Sequence, residues 1–166
     1  MAYRNKTYIC FDGDSDMAHY RLMTAWSENN KIDFDFYNAH DLNTARDSSQ
    51  EESIKRQLRE RFANSKLLVV LIGEKTKYLT KFVKWEMEVA LKLDLPIVGV
   101  NLNKARAQDD LCPPAIKNQL AIYVPFGISI VKYAMDNWPA SHARHRAANE
   151  TGPYRYSQAV YDQLGL

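Results

Sequence analysis

The chain has 166 residues, 46% hydrophobic and 25% charged, the balance of an ordinary globular domain long enough to bury one sizeable core. Its 22 basic and 20 acidic residues leave a formal charge of +2, too slight for the broad field that nucleic-acid binding requires. The two cysteines, Cys10 and Cys112, build neither a disulfide framework nor a zinc cluster, which points to a cytoplasmic, reducing compartment; no export signal and no run of about 18 apolar residues is present, so no membrane span is expected.

Residues 8–11 are a short apolar run ended by Asp12-Gly13-Asp14, which reads as a buried strand and a turn. With Ser15 as N-cap, Met17, Ala18, Leu22, Met23, Ala25 and Trp26 keep helical spacing until Asn29-Asn30. Residues 32–37 alternate Ile32, Phe34 and Phe36 with Asp33 and Asp35, the period of a half-exposed strand at a sheet edge. Residues 38–50 are polar and aperiodic, a loop of the length that is usually functional. Ile54, Leu58 and Phe62 then mark an amphipathic helix over 53–63. LLVVLI at 67–72, closed by Gly73, reads as a central strand covered on both faces. A helix over 80–93, a fourth strand over 96–102 and a fifth over 120–124 follow.

Strands alternating with helices imply a parallel sheet, because parallel neighbours need right-handed crossover connections. The fold class is therefore α/β, a doubly wound five-stranded parallel sheet. Beyond Gly127, residues 128–138 read as a helix, 139–152 as a basic stretch with histidines, and 154–164 as a closing helix. The expected organisation is an α/β domain over 1–126 and a C-terminal helical extension over 127–166 packed on it.

One carboxylate breaks the pattern of the helix over 80–93. Lys84, Glu88 and Lys92 share its polar face, but Glu86 projects about 40° from Phe82, in the middle of the apolar arc. Capping does not explain it, since with Thr80 as N-cap the capping-box position is Val83. Two readings follow. Glu86 is either a buried glutamate satisfied by a backbone amide or an arginine, or a desolvated carboxylate in a cleft whose partner is a proton or a cationic substrate. The first turns of a helix that follows a parallel strand lie at the carboxyl edge of the sheet, where doubly wound folds bind ligands.

Asp12, Asp14 and Asp16 alternate just beyond the first strand, at the same edge. A calcium loop fails on spacing, because Met17 and Met23 stand where glycine and glutamate are required. A strand ending in D-x-D resembles the first motif of haloacid-dehalogenase-type phosphatases, which leaves magnesium-dependent aspartyl phosphotransfer by Asp12 and Asp14 open beside a solvated helix-capping turn. Gly73-Glu74-Lys75-Thr76 lacks the glycines of a P-loop, and neither G-x-G-x-x-G nor G-x-S-x-G occurs. His142 and His145 share a helical face without further ligands nearby in sequence, so no metal site is expected. Tyr154, Tyr156 and Tyr161 are expected to pack the terminal segment.

With these elements in order, the chain resembles the Toll/interleukin-1 receptor (TIR) domain, and more closely the bacterial TIR-like branch that includes the NAD-processing subunit of Thoeris antiphage defence. The resemblance spans residues 6–126. Its most specific part is SKLLVVLIGEKTKYLTKFVKWEMEVALKLDLPIVGVNL, residues 65–102, which is similar to the family's third strand, connecting loop, glutamate-bearing helix and fourth strand. YICFDGDSD matches the opening strand and YNAHDLNTARDSSQ the loop after the second strand.

The resemblance implies a flavodoxin-like fold and an NAD+ glycohydrolase or cyclase in which Glu86, four positions after the aromatic Phe82, is catalytic. The family more often has tryptophan at the Phe82 position, and here Trp85 adjoins the glutamate instead. Glu86 would contact the ribose hydroxyls and stabilise the oxocarbenium character that builds as nicotinamide leaves. Phe11, Asp12, Asp14, Asn38, Phe82 and Trp85 are the implied substrate contacts. Several relatives carry arginines just after the first strand, where this chain has Asp12 and Gly13, so no phosphate-binding role carries over there. The implied substrate is NAD+, with no resident cofactor. The implied partners are a second copy of the chain, a phage-derived activator and an effector protein that reads an ADP-ribose-type, cyclic nucleotide. The same family also contains non-enzymatic interaction modules, which assemble through the loop corresponding to residues 38–50.

Overall fold

The computed structural model describes residues 7–28, 36–37 and 51–166. Among them, six strands form one parallel sheet: β1 (Thr7–Cys10), β2 (Phe36–Tyr37), β3 (Leu67–Ile72), β4 (Ile97–Asn101), β5 (Ala121–Pro125) and β6 (Pro153–Arg155). Their order is β2-β1-β3-β4-β5-β6. The helices are α1 (Met17–Glu28), α2 (Glu51–Phe62), α3 (Phe82–Lys92), α4 (Ile128–Ala147) and α5 (Gln158–Gln163), with a 3₁₀ turn at Thr76–Tyr78.

The five expected strands are all present and parallel, and β2 is the edge strand that its alternation predicts. Residues 32–35 of that strand and the loop over 38–50 lie outside the described residues. β1 and β3 are buried along their whole length, as continuous apolar strands covered on both faces must be. The chain leaves β1 toward β2 and then returns past β1 to β3, so the direction of strand addition reverses between β1 and β3. Right-handed crossovers then put α1 on one face and α2 and α3 on the other. α2 and α3 pack on each other, and α3 lies on β1. The predicted polar face of α3 carries that contact at its rim, where Lys55 of α2 bridges to Glu88 at 2.9 Å.

Several boundaries differ from the sequence reading. Helix α1 begins at Met17, one residue later than a Ser15 cap implies, and the carbonyl of Asp16 accepts the amides of His19 and Tyr20. Helix α3 begins at Phe82 behind Lys81, not Thr80, and carries no side-chain cap. Helix α4 continues through Pro139, where a stop was expected. Proline removes one intrahelical hydrogen bond. Burial of Trp138 just before it and His142 just after it holds the helix on both sides of that gap.

The sixth strand is the larger difference. Residues 153–155 read as the start of a closing helix, yet they pair with β5 in the register Ala121↔Pro153. Pro153 opens an edge strand, a position where its missing N–H costs no ladder bond. The three tyrosines do pack this segment: Tyr154 stacks on His145 at 4.1 Å, Tyr156 meets Tyr133 edge-on at 5.1 Å, and Arg106 lies 3.9 Å over the Tyr161 ring. His142 accordingly faces the Asp94 carbonyl, at 3.1 Å, while His145 faces Tyr154, so the two histidines serve different neighbours.

Gly99 in β4 stands opposite Tyr123 in β5, whose ring crosses it so that the hydroxyl meets Cys112 Sγ at 3.3 Å. A Cβ at position 99 would lie 2.6 Å from the Tyr123 ring and 3.2 Å from Ile72 Cδ1. Gly99→Ala is therefore expected to destabilise the fold by about 1–3 kcal/mol through overpacking, lowering Tm by several degrees in a thermal melt.

Candidate functional site

Helix α3 follows the central strand β3, so its first turns stand at the carboxyl edge of the sheet, beside the end of β1. Alternation along β1 turns Tyr8 and Cys10 to one face and Ile9 to the other. Tyr8 and Cys10 meet α3: the Cys10 thiol donates to the Val83 carbonyl at 3.7 Å, and the Tyr8 hydroxyl donates to Glu86 Oε1 at 3.2 Å. Glu86 is thus turned inward, as its place on the apolar arc predicts, and is only 4% exposed.

The surroundings of Glu86 are apolar, and among the described residues no cation pairs with it. Burial pushes its carboxyl up to about 7, while the Cys10 thiol and then the Tyr8 hydroxyl, both favouring the charged form, restrain the rise. The reciprocal effect appears on both neighbours. Burial first, and then the nearby Glu86 charge, raise the Tyr8 and Cys10 proton affinities, so both stay protonated donors. A group poised near neutrality can hold or release its proton as its partner changes.

A cleft of about 470 Å³ opens above this carboxylate. One wall is the loop after β1, with Phe11, Asp12 and Asp14; the other is the approach to α3, with Tyr78, Lys81 and Phe82. Phe11 stacks on Tyr20 at 4.5 Å with the rings 9° from parallel, which fixes the first wall. Phe82 and Trp85 meet at 5.5 Å, but only Phe82 lines the cleft. Glu86 does not line it. Val83, one turn earlier on the same helix, does, so the first turn of α3 separates the carboxylate from the cleft.

The three aspartates do not converge. Asp12 is 4% exposed, and its Oδ1 accepts the amides of Asp14 at 3.0 Å and Ser15 at 3.4 Å, a turn-stabilising role. Asp14 is exposed on the cleft wall, and Asp16 turns away into a different cavity. No group of three or more His, Cys, Asp or Glu side chains is placed to hold a metal among the described residues. Asn38 lies outside the described residues. Tyr8, Cys10, Tyr78 and Lys81 escaped the sequence reading. The period of two along β1 is a usable signal for the first pair, whereas 69%-exposed Tyr78 ends a 3₁₀ turn that no periodicity announces.

Glu86 carries a stability signature of definite sign. Its folded value of about 7 exceeds the ordinary 4.5, so between those pH values the folded chain binds more protons than the unfolded one. Stability therefore falls as pH rises from about 4.5 to about 7, by an order of about 3 kcal/mol, and this contribution is flat above. Glu86→Gln, which cannot ionise, is expected to be more stable than the natural chain at pH 8, with the difference vanishing near pH 5; urea unfolding at the two pH values measures it. Tyr8→Phe removes a donor to the charged form, so the Glu86 titration followed by carboxyl ¹³C NMR should move to higher pH.

No helix among the described residues is long and apolar enough to cross a membrane. No curated protein matches the chain. A family model described as Thoeris protein ThsB, TIR-like domain, matches residues 8–107. That stretch runs from the Tyr8 that bonds Glu86, through the loop after β1, to the strand after α3. By this match and by its parallel, doubly wound sheet, the chain belongs to the TIR-like domain family of the antiphage defence protein ThsB.

Proposed function

We propose that this chain cleaves the bond between nicotinamide and ribose in NAD+, with Glu86 as the catalytic carboxylate. The observation that carries this reading is the buried Glu86, without a cationic partner among the described residues, one helical turn below a cleft at the point where strand order reverses. Departure of neutral nicotinamide leaves positive charge on the ribose. A carboxylate held in low dielectric stabilises that charge far more than one in water.

Phe11 and Phe82 supply apolar surface for the pyridine ring, Asp14 and Lys81 polar groups at the rim, and Trp85 braces Phe82 from behind. Asp12 acts by holding the loop rather than by touching substrate. Attack by water on the ribosyl centre yields ADP-ribose, nicotinamide and a proton; attack by an adenine nitrogen of the same molecule yields a cyclic isomer and nicotinamide. The cyclic route gives a nucleotide signal for an effector protein, with self-association and a phage-derived activator completing the site.

One observation favours the interaction-module reading instead: the first turn of α3 closes Glu86 off from the cleft. A single experiment separates the two. Purified chain at high concentration, with and without phage-infected lysate, is incubated with NAD+, and nicotinamide and nucleotide products are followed by chromatography. Turnover is expected that survives EDTA, falls by about 10²-fold or more in Glu86→Gln, and in kcat/KM rises with pH through about 7 as Glu86 ionises. Absence of turnover under both conditions, with Glu86→Gln still folded, supports the interaction module.

A further inference from the structure

A second cavity of about 470 Å³ adjoins the first at the carboxyl edge of the sheet. The two share the segments that form their walls. The loop after β1 gives Asp12 and Asp14 to the cleft and Asp16 to the second cavity, while the segment after β3 gives Glu74 and Lys75 to the second cavity and Tyr78 to the cleft.

Asp16 lines this second cavity and is 7% exposed, and its Oδ2 is buried with no hydrogen-bond partner among the described residues. An ionised carboxylate only accepts hydrogen bonds, and one left unpaired in a protein interior is costly. The arrangement is also built to admit it. A Cβ on Gly73 would collide with the Asp16 carboxylate, so glycine at that position makes its room. The Thr76 hydroxyl, which accepts the Gly73 amide at 2.9 Å and lies 3.4 Å from the Leu71 carbonyl, also favours the charged Asp16 carboxylate, yet Oδ2 stays without a partner among the described residues.

The charges around the cavity choose the sign of an occupant. Asp16 and Glu74 are acidic, Lys75 is the one basic lysine or arginine among the lining residues, and His19 sets its ring edge-on to Phe126 at 4.9 Å. Leu102 and Leu111 add apolar wall. An anion would meet two carboxylates, whereas a cation would satisfy the orphaned oxygen. Burial, and next the Asp12 charge, raise the Asp16 proton affinity; His19 and the Thr76 hydroxyl offset part of that rise, and a bound cation would relieve the rest.

We propose that this cavity is a binding site for a small organic cation, whose guanidinium or ammonium N–H groups pair with the Asp16 carboxylate and whose apolar body rests on Leu102 and Leu111. A planar guanidinium matches a carboxylate edge with two parallel hydrogen bonds. Agmatine, with a guanidinium, a short apolar chain and an ammonium that reaches toward Glu74, is the probe.

Isothermal titration of the full chain with agmatine should give saturable binding. Affinity should fall about tenfold or more in Asp16→Asn, fall several-fold in the exposed variant Glu74→Gln, and rise in Lys75→Gln, where a repelling charge is removed. N-butylurea, which offers N–H groups without charge, should bind about tenfold more weakly than agmatine. The proposal is overturned by no saturable agmatine binding, by equal affinity for N-butylurea, or by wild-type affinity in whichever of Asp16→Asn and Glu74→Gln is folded. The readout is binding alone, so it stands or falls independently of NAD+ turnover.

Discussion

The site depends on one costly placement, a carboxylate inside the apolar seam between β1 and α3. Helix α3 buries Met87, Val89 and Ala90 beside Glu86, so the side chain cannot swing to water without turning the whole helix off the sheet. Once it is inside, the groups that meet it among the described residues are neutral: a tyrosine hydroxyl that donates at 3.2 Å and the nearby Cys10 thiol. Neutral donors soften the desolvation penalty without cancelling the charge, as an arginine would. The group is left near the midpoint of its titration at neutral pH, and the fold bears that cost in stability.

Strand order turns this local arrangement into a site. Because β1 and β3 are neighbours whose connections leave in opposite directions, the loop after β1 and the segment after β3 stand apart at the carboxyl edge with a cleft between them among the described residues. The same two segments border both cavities, and their anchors are polar and local: Asp12 holds the amides of Asp14 and Ser15, while Thr76 ties Gly73 to the end of β3. Phe11 and Gly73 stand at the inner ends of these segments, one stacked on Tyr20 and the other pressed against Asp16, so backbone at the rim is positioned by buried groups.

The sequence carried the central architecture because its physics is periodic. LLVVLI has no polar face to expose, and the placing of Glu86 against Lys84, Glu88 and Lys92 is a property of the helical repeat alone; both hold in the structure. What escaped is aperiodic or tertiary. The three-residue β6 is too short to alternate, and its pairing depends on β5, about thirty residues earlier. Pro139 is a local stop signal overridden by burial on either side of it. The Asp12, Asp14 and Asp16 repeat looked like one constellation because alternation was read along the chain, whereas a turn sends the three side chains to an amide nest, to solvent and to a second cavity.

The separation of Glu86 from the cleft follows from how α3 begins. Lys81 precedes the helix without a side-chain cap, its first turn contains no acidic residue, and Phe82 and Val83 are only partly buried. Uncapped first turns leave amide groups unsatisfied and are the part of a helix that opens at least cost. Farther along, Glu86, Met87, Val89 and Ala90 are buried in the core. The partition between the carboxylate and the cleft is therefore the weakest turn of an otherwise firmly seated helix. A closed first turn keeps water from the carboxylate, and opening of that turn alone would expose it while leaving the bond from Tyr8 in place.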